Sequence, residues 1–285
     1  MTSFNLHFFK EKSRQIDIDT LIAFFEDIPG FRIEMDNQSV RFLYQHPRLG
    51  HTSRFLITPK STVPDIYRLN PRFLDLNFRL EMPLLTPNYV ANHLFEIVKK
   101  VCQRFDFHIY NEMFEDVLPF KSEVLLKVFE MLKGAYIEKN PVIMSNYFLM
   151  ETEKLKRLYR YLDDYSELQK YYDELETYVP RYHFLQIENK QLVIGIEWQE
   201  QTLTVLPPDI DYIFYRIQDE IRPLPTDAVR AAIDPYLLDV PGFIKGTKVV
   251  PKKQLKRVHR ILKRRKFPVA DHRFEKVELK QLLDL

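Results

Sequence analysis

Only six of the 285 residues are glycine: Gly30, Gly50, Gly134, Gly195, Gly242 and Gly246. Average usage of roughly 7% would give about 20. Loops that cradle a phosphate need clustered glycines, because the backbone N–H groups must come close to the ligand. No two of the six stand as GxG, and no GxxxxGK[ST] occurs. This argues against a dinucleotide-binding fold and against a P-loop NTPase.

Cysteine is scarcer still. Cys102 stands alone, so no intrachain disulfide forms and a four-cysteine zinc site is excluded. No apolar run approaches 18 residues, so no transmembrane helix is expected. The start, MTSFNLHFFKEK, lacks the apolar stretch of 7–15 residues found in a secretory signal. Together these point to the cytoplasm.

Short catalytic motifs are missing as well: there is no GxSxG, HExxH or HxH. His46 and His51 lie five apart in HPRLGH, where Asp65 would have to approach to complete a metal site, and a pair of surface turn histidines is the simpler reading. His93 falls within a helical stretch and reads as a packed histidine. Glu112, Glu115 and Asp116 cluster in NEMFEDVLPF, and Asp209 and Asp211 in PPDIDY. Neither spacing matches a calcium loop, so solvated turns are expected. Cys102 lies among Val98 and Val101 and reads as a small buried hydrophobe. No catalytic residue, no metal ligand and no cofactor is nominated.

What is present is a globular composition, 45% apolar and 29% charged, with 22 Phe and 16 Tyr to fill an interior. The expected fold class is α+β: an antiparallel sheet covered by helices over 1–140, a connecting helical segment over 141–179, and a β-meander with a basic helical segment over 180–285. Leu74–Met82 alternates apolar and polar residues with period two, the mark of a strand with one wet face. A short helix is expected over Thr20–Asp27, capped by Asp19. Pro87–Phe105 has helical apolar spacing with Thr86 placed to cap it. Tyr147–Tyr178 carries a stripe from Leu155 through Leu158, Leu162, Tyr165, Leu168 and Tyr172 to Leu175 and reads as one long helix. Tyr182–Ile187 and Leu192–Trp198 read as a hairpin that Thr202–Leu206 and Tyr212–Ile217 extend, and Val277–Leu285 reads as helix-like.

One stretch departs from this background. Val240–Ala270 holds 11 Lys or Arg and no Asp or Glu. Of the chain's 42 basic residues, 31 then remain against 40 acidic ones, so the rest of the molecule carries a formal −9. Within Pro251–Lys266, Leu255, Val258, Ile261 and Leu262 make one apolar face. Lys252, Lys253, Lys256, Arg257, Arg260, Lys263, Arg264, Arg265 and Lys266 cover the remainder.

Three readings of that helix stay open: a solvated face, a site for DNA or RNA, and a surface for an acidic protein or an anionic membrane. The gap between Pro235 and Pro251 is too long for a helix-turn-helix. The only aromatics near the cations are Phe243 and Phe267 at the margins, so contact with nucleic acid would be to phosphate, with little base reading. The leading expectation is a non-enzymatic binding or adaptor protein that takes an acidic macromolecule, protein ahead of nucleic acid, on Lys252, Lys253, Lys256, Arg257, Arg260, Lys263, Arg264 and Arg265. A nucleic-acid-binding protein using the same helix is the alternative. An enzyme whose site is assembled from distant residues is the third.

Overall fold

A computed structural model of the chain describes residues 2–36, 38–240, 244–264 and 266–285. The fold is mixed α+β, as the two periodicities predict. The chain divides into two compact units, one of Met1–Thr152 with Leu282–Leu285, the other of Glu153–Gln281.

The first unit is built on one antiparallel sheet. Its strands are β1 (Ser3–Glu11), β2 (Phe31–Met35), β3 (Val40–Gln45), β4 (Thr52–Ile57), β5 (Phe73–Pro83) and β6 (His108–Tyr110), in the order β2-β3-β4-β5-β1-β6. One face is aromatic. Phe25, on helix α1 (Ile18–Glu26), meets Phe31, Phe42, Phe55 and Phe78 at ring separations of 4.4–6.4 Å. Phe4 of β1 meets Phe95 of α2 (Asn88–Phe105) and Phe129 of α3 (Ser122–Lys139). The strand–turn–strand from β2 to β3 closes at its base through Gly30, whose φ of +95° only glycine adopts readily and whose Cβ position would lie 2.4 Å from the Gln45 carbonyl oxygen.

Three local expectations are corrected here. Helix α1 starts earlier than Thr20, because Asp17 and not Asp19 is its cap, accepting from the Thr20 amide at 3.0 Å and the Thr20 hydroxyl at 2.6 Å. The alternation along β5 is interrupted, since the register against β1 jumps between Phe8 and Phe9 and Asn77 takes φ +54°. That irregularity buries Asp75, expected on the wet face, and its carboxylate accepts from the Asn77 amide at 3.0 Å. Helix α2 is not capped by Thr86; its first amide, that of Asn88, donates to Asp284 at 3.1 and 3.2 Å. After α3 come α4 (Pro141–Met144) and β7 (Phe148–Met150).

In the second unit the Leu155–Leu175 stripe is carried by two helices, α5 (Thr152–Asp163) and α6 (Tyr165–Asp173), with a break at Asp164. Tyrosines anchor both sides of the break: Tyr161 donates to the Pro180 carbonyl at 2.7 Å and Tyr165 to the Val179 carbonyl at 2.9 Å. On α6 the stripe residues Tyr165, Leu168 and Tyr172 are buried, whereas Leu175 lies in the turn beyond the helix end and is exposed. Next come β8 (Thr177–Tyr178), β9 (His183–Ile187), β10 (Gln191–Gln199), β11 (Leu203–Leu206), β12 (Tyr212–Ile217) and β13 (Glu220–Pro225). They are followed by α7 (Thr226–Ile233), β14 (Leu238–Asp239), β15 (Lys248–Val249), α8 (Leu255–Arg264) and β16 (Glu275–Lys276).

Two sheets result, β13-β12-β10-β9-β16 and β14-β15-β11-β8. The β9–β10 hairpin is the expected one. Its extension does not run in sequence order, however: β11 leaves for the second sheet, and β12 lies parallel to β10. All four residues of β11 are buried, which an alternating meander strand would not be. The chain ends in a 3-10 turn and the strand β17 (Leu282–Asp284), not in a helix, and β17 returns to the first unit beside β7 in parallel register.

Candidate functional site

The basic segment begins at Pro251, passes through a 3-10 turn over Lys252–Gln254 and continues as α8. Its anchoring face is Val258, His259 and Leu262, all buried, with Leu255 and Ile261 half-buried. This revises the expected apolar face. At 100° per residue, His259 falls beside Leu255 and Leu262, whereas Ile261 sits toward the rim.

His259 is the packed centre of that face. Its ring lies 5.8 Å from Trp198 and 6.0 Å from Tyr215, and its Nδ1 lies 2.6 Å from the Tyr215 hydroxyl. The Gln201 amide donates to the same Nδ1 at 3.3 Å, which makes Nδ1 the acceptor and places the proton of the neutral ring on Nε2. Burial holds the imidazole below its ordinary pKa, so the ring stays neutral and packs as an aromatic. Trp198 is fully buried, and its indole N–H donates to the Thr202 carbonyl at 3.1 Å. The sequence signal for His259 was its position three and four residues from Leu262 and Leu255, on an otherwise apolar stripe.

The opposite face carries the cations. Lys252, Lys253, Lys256, Arg257, Arg260, Lys263 and Arg264 are all exposed; Arg265 lies outside the described residues. Three of the seven are engaged within their own unit. Lys252 binds Glu176 at 2.8 Å, which holds its ammonium above the ordinary value. Lys263 binds Glu200 at 3.2 Å. Arg257 lies over the Tyr236 ring, 4.4 Å from its centroid. Lys253, Lys256, Arg260 and Arg264 have no ion-pair partner among the described residues. Lys256, Arg260 and Arg264 stand four residues apart on α8, which spreads them over about 12 Å, and Lys253 precedes them in the 3-10 turn.

The other clusters read from the sequence have structural employment. The Asp116 carboxylate accepts from the Asn70 amide at 3.0 Å and the Val117 amide at 2.7 Å, while Glu112 and Glu115 are exposed. Asp209 takes Arg157 through two bonds of 2.9 and 3.0 Å. Asp211 accepts from the Ile194 amide at 2.7 Å.

The HPRLGH turn is not the surface pair expected. His46 is buried, His51 is half-buried, and the turn closes through His46 N donating to the His51 carbonyl at 2.8 Å. Burial pushes the His51 pKa down to about 4. His93, read as packed, is exposed on α2 with its ring 5.0 Å from that of His46. Cys102 is buried, and desolvation pushes its thiol up to about 12, which removes the thiolate needed for nucleophilic chemistry at neutral pH.

Among the described residues no helix is long and apolar enough to cross a membrane. No family model, no curated protein and no solved structure matches the chain.

Proposed function

We propose that the chain is a binding protein that docks an acidic segment of a partner protein on the exposed face of α8. The observation that carries this reading is the set Lys253, Lys256, Arg260 and Arg264: four exposed cations without ion-pair partners among the described residues, the first in the 3-10 turn before α8 and the others on the helix, whose opposite face is held by Val258, His259 and Leu262. An anchored helix presents its charges in a fixed array, so a partner does not have to order the scaffold on binding. Guanidinium groups at 260 and 264 offer two-pronged hydrogen bonding to carboxylates. Rim charges of this kind act chiefly on the association rate and on specificity, with strong dependence on salt.

Fluorescence anisotropy of a labelled Glu/Asp-rich peptide of about 15 residues tests the proposal, with a DNA duplex and an RNA single strand of equal net charge beside it. The acidic peptide binds the full chain, affinity falls as salt rises, and the triple variant K256E/R260E/R264E weakens it at least ~10-fold. Tighter binding of DNA or RNA than of peptide, lost in the same variant, would give the helix to a phosphate backbone instead. Binding of none of the three probes, or binding indifferent to the triple variant, refutes a role for the face.

A further inference from the structure

We propose that strand β2 pairs antiparallel with β2 of a second copy of this chain, on a two-fold axis through Ile33. The strand is the outermost of its sheet, with β3 on one side and no strand on the other among the described residues. The bonds at both ends of the β2–β3 ladder set which backbone groups face outward. Gln45 N donates to the Gly30 carbonyl at 2.9 Å, and Asp36 N donates to the Ser39 carbonyl at 3.0 Å. With Phe31 opposite Tyr44 and Met35 opposite Val40, the even-numbered residues of β2 spend their backbone groups on β3. Ile33 and Met35 therefore turn both N–H and C=O away from the sheet. Phe31 turns its carbonyl the same way, while its N–H reaches the Ile28 carbonyl at 3.4 Å.

The sequence of β2, Phe-Arg-Ile-Glu-Met, is self-complementary about its centre. An antiparallel copy centred on Ile33 brings the two Ile33 residues together as a hydrogen-bonded pair, places each Phe31 opposite a Met35, and each Arg32 opposite a Glu34. Arg32 and Glu34 already form an ion pair at 2.5 Å within the strand, on the face away from the aromatic core, and Arg32 is well exposed. Across the axis they stand at the closely spaced, non-hydrogen-bonded positions, so the two pairs become one network of alternating sign. Met35, 64% exposed, gains an apolar neighbour in Phe31. Edge strands guard themselves with proline, bulges or charge of one sign; β2 has no proline and its charges cancel. Five residues a side make a small contact, so a weak dimer with a dissociation constant on the order of 10–100 µM is the form this takes.

Sedimentation velocity on the full chain, from about 5 to about 500 µM, tests this pairing. The wild type moves from monomer toward dimer across that range. Ile33→Pro removes an outward N–H that β3 does not use, so the β2–β3 ladder survives while the dimer is lost. Arg32→Glu and Glu34→Arg each set like charges across the axis and weaken association at least ~10-fold, and the swapped double variant R32E/E34R restores it. That rescue separates strand pairing from general loss of folding, and circular dichroism confirms that each variant is folded. A wild type that stays monomeric throughout, or a dimer that persists in Ile33→Pro and in both single charge variants, overturns the proposal. So does a double variant that fails to recover while remaining folded.

Discussion

Replacing Asp284 by alanine removes the carboxylate that joins the last strand to two helices of the first unit. The residue is 2% exposed. Its Oδ1 accepts from Lys133 Nζ at 2.8 Å, and both oxygens accept from the Asn88 amide, the first amide of α2. Lys133, also 2% exposed, holds a further bond of 2.5 Å to the Asn88 side chain, which donates in turn to Glu130 at 2.7 Å. Burial depresses the Lys133 pKa, and Asp284, ahead of Glu130, opposes this. Without Asp284 the buried ammonium keeps a bond to the neutral Asn88 amide, with Glu130 as the remaining nearby charge. Breaking a buried pair in this way costs about 3–5 kcal/mol, and losing a helix cap about 1 kcal/mol. The two share the same oxygens, so the sum is an upper limit and a loss of about 4 kcal/mol is expected. Urea denaturation followed by circular dichroism measures the loss, and hydrogen exchange locates it in the first turn of α2 and around Lys133 in α3. Lys133→Met on the Asp284→Ala background removes the orphaned charge and recovers about 2 kcal/mol or more. Strict additivity of the two substitutions, or a loss under ~0.5 kcal/mol for Asp284→Ala, refutes the reasoning.

His7 gives the first unit an acid sensitivity. Burial, followed by the neighbouring Arg79, brings its pKa down to about 4, against 6.5 in the unfolded chain. The folded value is the lower one, so its contribution is complete above pH ~6.5 and is lost as pH falls toward 4, amounting to about 2–3 kcal/mol over that window. Urea midpoints between pH 7 and pH 4.5 fall more steeply for the wild type than for His7→Gln, and equal slopes would contradict the shift. Gly30→Ala sets a methyl group against the Gln45 carbonyl at a φ that alanine resists; a loss of about 2–4 kcal/mol in thermal unfolding is expected, and a neutral effect would show that the β2–β3 base can relax.

The elements legible in the sequence are those whose signal is local. The alternation of β5, the apolar spacing of α2 and the one-sidedness of α8 each lie within a single element; β5 and α2 form close to the predicted bounds, whereas α8 starts at Leu255, four residues after the expected Pro251, because a 3-10 turn precedes it. What was not legible is set by partners distant in sequence. Thr86 has the right chemistry and position to cap α2, yet the first amide of that helix finds Asp284, 196 residues away. Asp75 sits on the polar phase of its strand, and only the register jump against β1 buries it. The transfer of β11 to a second sheet leaves a fully apolar-facing strand where alternation was expected, and no property of Leu-Thr-Val-Leu alone shows it. His259 was hidden for a different reason. A histidine on an apolar stripe reads as an interruption, and it becomes an anchor only once Tyr215 and the Gln201 amide supply its polar atom.

The charge contrast of α8 also has an energetic side. Lys256, Arg260 and Arg264 stand at successive four-residue steps, where like charges repel by about 0.2–0.5 kcal/mol a pair. Lys253 beside Lys256 adds a comparable amount, so the helix bears roughly 1 kcal/mol of repulsion along this line. Elsewhere on the same segment the unit does supply relief, through Glu176 at Lys252 in the 3-10 turn and Glu200 at Lys263 on α8. The uncompensated cations are therefore interleaved with compensated ones, on a segment that Val258, His259 and Leu262 hold to the body of the unit. An anion arriving there gains its own attraction and also cancels the repulsion already present. That added term grows with the number of cations it bridges, so an extended acidic chain profits more than an isolated carboxylate. A peptide bearing four acidic residues at helical or extended spacing should thus outcompete the same residues supplied as free glutamate by far more than a factor of four.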